Sequence, residues 1–227
     1  MSRILITGSS KGLGASLALI FAKNKYDVIL HGRDEASLKK IESEVLAHNV
    51  KSHIIIGDII NSDTINDIKS VSEEKGIDIL INNAGIYLNQ PFLETSMNDF
   101  RKVIETNFMS VVLVTHTLFP ILKSKESGLI ININSLAGKN GSDGEAAYCA
   151  SKHALRGFSS AIQYDATRYG IRVIDIFFGA LQTEMTKDRE NQEKLISTKD
   201  AAKSIFMLSN SYKTMRITEI NFNRMIY

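Results

Sequence analysis

Cysteine and proline are scarce in this chain. Its 227 residues contain one cysteine, Cys149, and two prolines, Pro91 and Pro120. A single cysteine excludes an internal disulfide framework and a metal site of several thiolates, and it fits a reducing, cytosolic setting. The five histidines show no metal-ligand spacing, so we expect no metal site. Few prolines leave the chain free to form mostly helices and strands.

A strong net charge and a long apolar run are also missing. The 27 basic and 25 acidic residues leave a net charge of +2, which argues against a dedicated nucleic-acid binder. The longest uncharged stretch, 106–122, is shorter than a membrane span and contains Asn107, His116 and Pro120, so we expect a buried helix there. The N-terminal apolar run is too short for a signal peptide. These features predict a cytoplasmic protein with no membrane partner.

Short apolar runs alternate with longer helical patterns along the whole sequence. The runs are continuously apolar, as is typical of strands buried on both faces of a parallel sheet. Repeated strand–helix units predict a doubly wound α/β fold with helices on both faces, in one domain over 1–227. The predicted strands are 4–7, 28–30, 53–57, 78–82, 129–134, 172–178 and 217–222. The predicted helices are 13–23, 35–48, 62–74, 97–123, 146–169 and 198–210.

A glycine-rich turn, Thr7-Gly-Ser-Ser-Lys-Gly-Leu-Gly14, joins the first strand to the first helix. Such a turn offers backbone N–H groups and a positive helix end to a pyrophosphate. Gly8 permits the tight turn, Gly12 lets the backbone approach a ligand, and Gly14 lets helix and strand pack closely. The turn therefore predicts a dinucleotide site, although a glycine-rich turn without a ligand has the same sequence.

The residues after the second strand indicate which dinucleotide binds. An acid there would hold the ribose hydroxyls of NAD, whereas a basic residue would accept the 2′-phosphate of NADP. The sequence has Gly32, Arg33 and Asp34 at this point. Arg33, with Lys11 from the glycine turn, favours NADP(H). NAD(H) is the alternative if Asp34 holds the ribose, but Asp34 is also a good N-cap for the next helix.

Tyr148 and Lys152 are four residues apart at the start of a long predicted helix, which places both on one face. A nearby ammonium stabilises a phenolate, so the pair is suited to proton exchange with a substrate oxygen. Ser135 follows the fifth strand, where its hydroxyl could hydrogen-bond that oxygen. Asn107 lies in an otherwise apolar helix and needs partners, in either a structural or a functional role.

Together these motifs resemble the short-chain dehydrogenase/reductase family, in its compact single-domain branch. The resemblance rests on Thr7-Gly-x-x-x-Gly-x-Gly14, Asn82-Asn-Ala-Gly85, Asn107, Ser135 and Tyr148-x-x-x-Lys152, whose order and spacing agree over nearly the whole chain. It implies a Rossmann fold with a parallel sheet of seven strands. It also implies direct hydride transfer between a nicotinamide cofactor and a carbonyl, without a metal.

The resemblance assigns roles to individual residues. Tyr148 would be the general acid in reduction and the base in oxidation, and Lys152 would lower its pKa and hold the nicotinamide ribose. Ser135 would orient the carbonyl, Asn107 would hold a water in a proton relay towards Lys152, and Asp58 would contact the adenine amine. The residues implied in cofactor binding are Gly8, Ser10, Lys11, Gly12, Leu13, Gly14, Arg33, Asp58, Ile59, Asn83, Ala84, Gly85, Tyr148, Lys152, Gly179, Leu181 and Thr183.

The expected function is NADP(H)-dependent interconversion of a carbonyl and a secondary alcohol. Candidate substrates are a 3-oxoacyl thioester, a small ketone, a sugar or a polyol. The charged segment 184–197 is expected to be a short, mobile substrate loop. A homodimer through the two long helices is expected. A homotetramer is the alternative, but the C-terminal end, which makes the tetramer contact in the family, departs from the family pattern here. A catalytically silent nucleotide-binding scaffold or sensor is the second functional hypothesis.

Overall fold

The computed structural model describes residues 2–125, 128–189, 191–210 and 215–225. Across these ranges the chain forms one sheet of seven strands in the order β3-β2-β1-β4-β5-β6-β7, and every neighbouring pair is parallel. The predicted doubly wound α/β fold, Rossmann-like with a seven-stranded parallel sheet, is confirmed. The strands are β1 (Arg3–Ile6), β2 (Asp27–Gly32), β3 (Ser52–Ile56), β4 (Ile79–Asn82), β5 (Leu129–Ser135), β6 (Arg172–Phe178) and β7 (Glu219–Phe222).

The helices follow the predicted order, and several begin at a side-chain cap. Ser96 accepts a hydrogen bond from the N–H of Asp99, and Ser197 accepts one from the N–H of Asp200. The α-helices are α1 (Gly12–Lys23), α2 (Glu35–Leu46), α3 (Ser62–Lys75), α4 (Met97–Ile104), α5 (Ser110–Lys123), α6 (Ala146–Thr167) and α7 (Thr198–Ser209). The predicted helix 97–123 has the expected outer bounds, but its central residues, Glu105–Met109, wind as a π-helix.

The strands send alternate side chains into two apolar layers. Ile4 and Ile6 of β1 pack in the layer that contains Phe21 of α1. Leu5, between them, packs in the opposite layer with Leu118 of α5. All five side chains have no exposed surface. Because both faces of the sheet are covered, the strands are apolar along their whole length.

By length and composition alone, the stretch Met97–Lys123 could cross a membrane. In the fold, Val114, Leu118 and Leu122 of this stretch are buried in the layer that covers the sheet. The apolar character of these side chains is therefore explained by packing within the protein.

The strand order reverses beside β1, since β2 and β3 lie on one side of it and β4 to β7 on the other. Ligands of open α/β sheets bind at the carboxyl ends of the strands at such a reversal. Thr7, Asn83 and Ser135 stand at this edge, at the ends of β1, β4 and β5.

Candidate active site

The turn between β1 and α1 requires its glycines. Gly8 and Gly12 have left-handed backbones, with φ of 67° and 59°. A Cβ on Gly8 would lie 2.8 Å from the Cα of Ala84, and one on Gly14 would collide with the Gly8 carbonyl oxygen. The Lys11 side chain does not cap α1, so the first N–H groups of the helix suit an anion.

The segment after β4 holds this turn in place. The Thr7 hydroxyl oxygen accepts hydrogen bonds from the N–H groups of Asn83 and Ala84, both at 3.0 Å. The Asn83 side-chain amide donates to the carbonyl oxygens of Thr7 and Gly8, both at 2.9 Å. The Asn83 amide is therefore occupied by the backbone of the glycine turn.

An exposed cation and a helix cap follow β2. Arg33 exposes 63% of its side chain, and its Nη1 lies 3.7 Å from Oδ2 of Asp58. Asp34 Oδ1 accepts a hydrogen bond of 2.7 Å from the N–H of Ser37, which caps α2 and lowers the pKa of Asp34. Asp34 thus has the structural role that the sequence left open, and Arg33 stands at the edge of the cleft.

His31, which sequence reasoning did not assign to the site, lies beneath the glycine turn. Its Nδ1 accepts a hydrogen bond of 3.4 Å from the N–H of Gly8, and its backbone bonds with Ser9. The residue is 2% exposed, and burial lowers its pKa to about 4. His31 is therefore a neutral support for the turn at neutral pH.

Asn107 lies within the π-helical turn between α4 and α5 and is fully buried. Its Oδ1 accepts a hydrogen bond of 2.8 Å from the N–H of Ile86, and its Nδ2 donates to the Ile86 carbonyl at 2.9 Å. The same Nδ2 lies 3.1 Å from the hydroxyl of Ser151 on α6. The amide thus joins the π-helical turn to the chain after β4 and to α6. No pattern in the sequence predicts the π turn that positions it.

Tyr148 and Lys152, in the first turns of α6, lie beside Ser135 at the end of β5. Ser135 Oγ accepts the N–H of Ala137 at 3.2 Å, and a hydrogen bond links it to the Tyr148 phenol. Lys152 is 7% exposed, and its Nζ donates to the Ile133 carbonyl at 2.9 Å. That Nζ is 5.9 Å from the centre of the Tyr148 ring. A hydroxyl, a phenol and an ammonium therefore meet in one corner.

Burial controls the protonation of this corner. It raises the pKa of Tyr148 to about 12; the hydrogen bond to Ser135 opposes this rise, and the charge of Glu145 adds to it. Burial also lowers the pKa of Lys152 to about 8, against the opposing charge of Asp175. The pKa of Tyr148 is therefore raised, whereas the family resemblance implied that Lys152 would lower it. Burial of the phenol is the largest influence on this pKa. Tyr148 is thus a neutral phenol at neutral pH.

A polar wall that the sequence did not predict borders Tyr148. Tyr87 packs edge-on against Tyr148 and donates a hydrogen bond of 2.7 Å to Oε1 of Glu145. Arg189 Nη2 lies 3.1 Å from the Tyr87 hydroxyl and 3.5 Å from the same carboxylate oxygen. Glu145 is 7% exposed. Tyr87, Glu145 and Arg189 come from three separate segments of the chain, so no local sequence pattern predicts their contact.

These groups share one cleft of about 610 Å³. Every residue predicted for catalysis or cofactor binding lines this cleft except Asn107, which is buried behind Ile86. The set includes Ser10, Ile59, Gly179, Leu181 and Thr183, which come from the three segments that follow β1, β3 and β6. Within the described residues, no group of three or more His, Cys, Asp or Glu side chains is arranged to hold a metal ion.

The segment expected to be a mobile loop has structure of its own. It contains the short 3₁₀ helices Glu184–Thr186 and Gln192–Lys194. Its two ends are joined by backbone hydrogen bonds from Gln182 to Ile196 and from Ile196 to Ala180, at 2.9 and 3.0 Å. The Gln192 side-chain amide also donates to the Arg189 carbonyl at 3.0 Å, so polar side chains of this segment make local hydrogen bonds that its composition does not predict.

Comparison with known proteins identifies the family. A family model described as short chain dehydrogenase matches residues 2–194. The chain is 34% identical over 202 residues to the NADPH-dependent pterin aldehyde reductase of Arabidopsis thaliana, covering 87% of this chain and 83% of that protein. It is 32% identical over 188 residues to the gluconate 5-dehydrogenase of Gluconobacter oxydans, covering 82% and 73%. The chain therefore belongs to the short-chain dehydrogenase family of oxidoreductases.

Solved structures agree with this assignment. A metagenomic short-chain oxidoreductase in complex with NADP superposes with a TM-score of 0.87 and 26% identity, covering 100% of this chain and 98% of that one. An alcohol dehydrogenase from Thermococcus sibiricus gives a TM-score of 0.91 at 24% identity, covering 98% and 96%, which supports the fold alone.

Proposed function

We propose that this chain is an NADP(H)-dependent oxidoreductase that interconverts a carbonyl and a secondary alcohol. The observation that carries the proposal is the corner formed by Ser135, Tyr148 and Lys152, which opens into the same cleft as the glycine turn. A hydroxyl, a neutral phenol and a buried ammonium are the groups needed to bind and protonate a carbonyl oxygen.

Each residue of the corner has a separate role. Tyr148 gives its phenolic proton to the substrate oxygen in reduction and takes it back in oxidation. Ser135 hydrogen-bonds that oxygen as negative charge develops. Lys152 stabilises the phenolate when it forms and holds the nicotinamide ribose. Asn107 supports the wall beside them through Ile86 and, in the role that the family resemblance implies, would hold the water of a proton relay towards Lys152.

The cofactor assignment rests on the residues that follow β2. NADP(H), when bound, supplies or accepts the hydride. Arg33 would accept the 2′-phosphate together with Lys11, since Asp34 is already occupied as a helix cap. The Arabidopsis reductase is NADPH-dependent and the metagenomic oxidoreductase was solved in complex with NADP, which supports the same choice. NAD(H) is the alternative cofactor, and Asp58 would contact the adenine amine of either dinucleotide.

The substrate is a carbonyl compound that fits between the corner and the polar wall of Tyr87, Glu145 and Arg189. The candidates are a 3-oxoacyl thioester, a small ketone, a sugar or a polyol. The polar wall favours a substrate with hydrogen-bonding groups close to its carbonyl.

In this proposal residues 1–227 act as a single domain, and the segment 184–197 is the substrate loop. The reaction needs no metal. The enzyme works in the cytoplasm as a homodimer or homotetramer.

Two assays test this proposal. Fluorescence titration with NADPH and NADH measures cofactor binding, and oxidation of NADPH across a panel of aldehydes, ketones and 3-oxoacyl thioesters measures turnover. We expect tighter NADPH binding and turnover of at least one carbonyl. Binding without turnover of any carbonyl would favour the silent scaffold, and binding of neither cofactor would overturn the proposal.

A further inference from the structure

A row of buried polar side chains crosses the sheet behind the active-site corner. Asn82 of β4 is in register with Asn132 of β5, which is in register with Asp175 of β6. The three residues are at most 2% exposed. Asn82 Nδ2 donates to Oδ1 of Asn132 at 2.9 Å, and Asn132 Nδ2 donates to the Ser159 hydroxyl at 2.8 Å. Asp175 is the acidic member of this row, and a buried carboxylate is costly unless it is paired.

Asn134 connects Asp175 to the corner. Its Oδ1 accepts the backbone N–H of Ser135 at 2.8 Å. Its Nδ2 donates to Oδ2 of Asp175 at 3.0 Å and to the backbone carbonyl of Lys152 at 3.3 Å. One buried amide thus contacts the backbone of both Ser135 and Lys152, and the carboxylate of Asp175 fixes its orientation.

Asp175 is linked to Lys152 through the Asn134 amide rather than by a direct ion pair, so its charge acts on the Lys152 ammonium through the protein interior. Lys152 is buried, and its Nζ donates to a neutral carbonyl, that of Ile133. Among the described residues, Asp175 is the charged group that favours the protonated form of Lys152. An ammonium in the interior is stable only when an opposite charge or several hydrogen bonds compensate its lost hydration.

The other groups around Asp175 do not compete for this role. From β7 it faces Glu219, whose carboxylate is paired with Lys139 at 2.7 Å and Arg156 at 3.1 Å. From β5 it faces the neutral amides of Asn132 and Asn134, and from α6 it faces Ser159 besides Lys152. Lys139 and Arg156 are therefore already paired with Glu219, and Lys152 is the cation whose charge acts on Asp175.

We propose that Asp175 is a positioning residue whose buried carboxylate is the counter-charge that keeps Lys152 protonated, while Asn134 carries its effect to the backbone of Ser135 and Lys152. This role rests on the proposed function, because Lys152 matters for turnover only if Tyr148 is the acid. Burial raises the pKa of Asp175 and lowers that of Lys152, and the charge of each group opposes the shift of the other, so the two ionised forms stabilise each other.

The test is an NMR titration of the Lys152 side chain in the wild type and in Asp175→Asn, with the lysine signal assigned from Lys152→Arg. Removing the carboxylate should lower the Lys152 midpoint by about one pH unit. The alkaline limb of kcat for carbonyl reduction should move down by a similar amount. The matched control is Asp27→Asn, because Asp27 is also a buried strand aspartate, 4% exposed and paired with Arg3. It should lower stability without moving the Lys152 midpoint.

A second titration needs no variant. In the wild-type protein the Asp175 carboxyl signal should be that of an ionised group at the pH where Lys152 loses its proton. A carboxyl still protonated at that pH would overturn the proposal, even if Asp175→Asn fails to fold. An unmoved Lys152 midpoint in folded Asp175→Asn would overturn it too, and would leave the proposed function intact. A moved midpoint in a protein that reduces no carbonyl would instead refute the proposed function and keep the Asp175–Lys152 coupling.

Discussion

The rings of Tyr87 and Tyr148 meet edge to face, with centroids 5.1 Å apart and planes at 83°. Because Tyr87 donates its phenolic hydrogen bond to Glu145, this contact brings a carboxylate to the border of the proposed proton donor. Arg189, from the segment after β6, closes the group from the open side of the cleft. The groups proposed for substrate recognition and for proton transfer are therefore adjacent in this site.

Glu145→Gln should lower the pH at which Tyr148 acts as a base. The charge of Glu145 raises the pKa of Tyr148, so a neutral amide in its place stabilises the phenolate. In alcohol oxidation, the acidic limb of kcat/KM should move down by about one pH unit or less. Glu193→Gln, which changes an exposed acid outside the cleft, should leave the limb unmoved. A limb that moves up in Glu145→Gln would contradict this electrostatic role.

Arg33→Ala should weaken NADPH binding and leave NADH binding nearly unchanged. A guanidinium–phosphate contact at an exposed position accounts for about a tenfold change in Kd, or about 1.4 kcal/mol. Fluorescence titration measures both cofactors. Lys39→Ala is the control, since Lys39 is an equally exposed cation that pairs with Glu35 on α2. An equal loss for both cofactors in Arg33→Ala would show that the side chain does not read the 2′-phosphate.

Asn107→Leu should destabilise the fold as well as slow turnover. The substitution removes three hydrogen bonds and leaves the backbone N–H and carbonyl of Ile86 unpaired. The expected loss is about 3 kcal/mol in the free energy of unfolding, or about 6–12 °C in Tm. Thermal unfolding followed by circular dichroism measures it. The control is Asn24→Ala, which removes one hydrogen bond from an exposed amide to the Ile20 carbonyl. Equal Tm losses in the two variants would be inconsistent with this account of Asn107.

His31→Asn should make stability less sensitive to acid. The pKa of His31 is about 4 in the folded protein, against 6.5 for an unperturbed histidine, so between these values the unfolded chain binds a proton that the folded one does not. The stability that His31 contributes is therefore present above pH 6.5 and is lost as the pH falls towards 4. From pH 7 to 5, urea unfolding should show that the wild type loses about 2 kcal/mol more than the variant. Equal losses would mean that His31 titrates normally.

The fold was predictable from sequence because its signals are local. Continuous apolar runs mark strands covered on both faces, and the Gly8, Gly12 and Gly14 spacing reflects steric contacts within a single turn. The last strand was less clear: it begins at Glu219 rather than at residue 217. Its residues are only partly buried, so hydrophobic pattern defines its boundary weakly.

The parts of the site that sequence did not predict depend on distant contacts. Tyr87 and Glu145 are 58 positions apart in the chain, and Asn134 and Asp175 are 41 apart. Neither pair lies within one helix or turn, so no rule of residue spacing predicts that its two members are in contact. The raised pKa of Tyr148 was missed for a similar reason, since burial by several elements sets it rather than the nearby lysine in the sequence.

The transfer of deuterium from NADPH labelled at its reactive carbon to a carbonyl substrate tests the proposed activity most directly. The wild type should give an alcohol with deuterium on the carbinol carbon, detected by mass spectrometry. Tyr148→Phe should form this product about 100-fold more slowly or worse while it binds NADPH with near-wild-type affinity. Wild-type-like transfer by Tyr148→Phe, or no transfer by the wild type to any carbonyl of the panel, would contradict the assignment of Tyr148 as the proton donor of a carbonyl oxidoreductase.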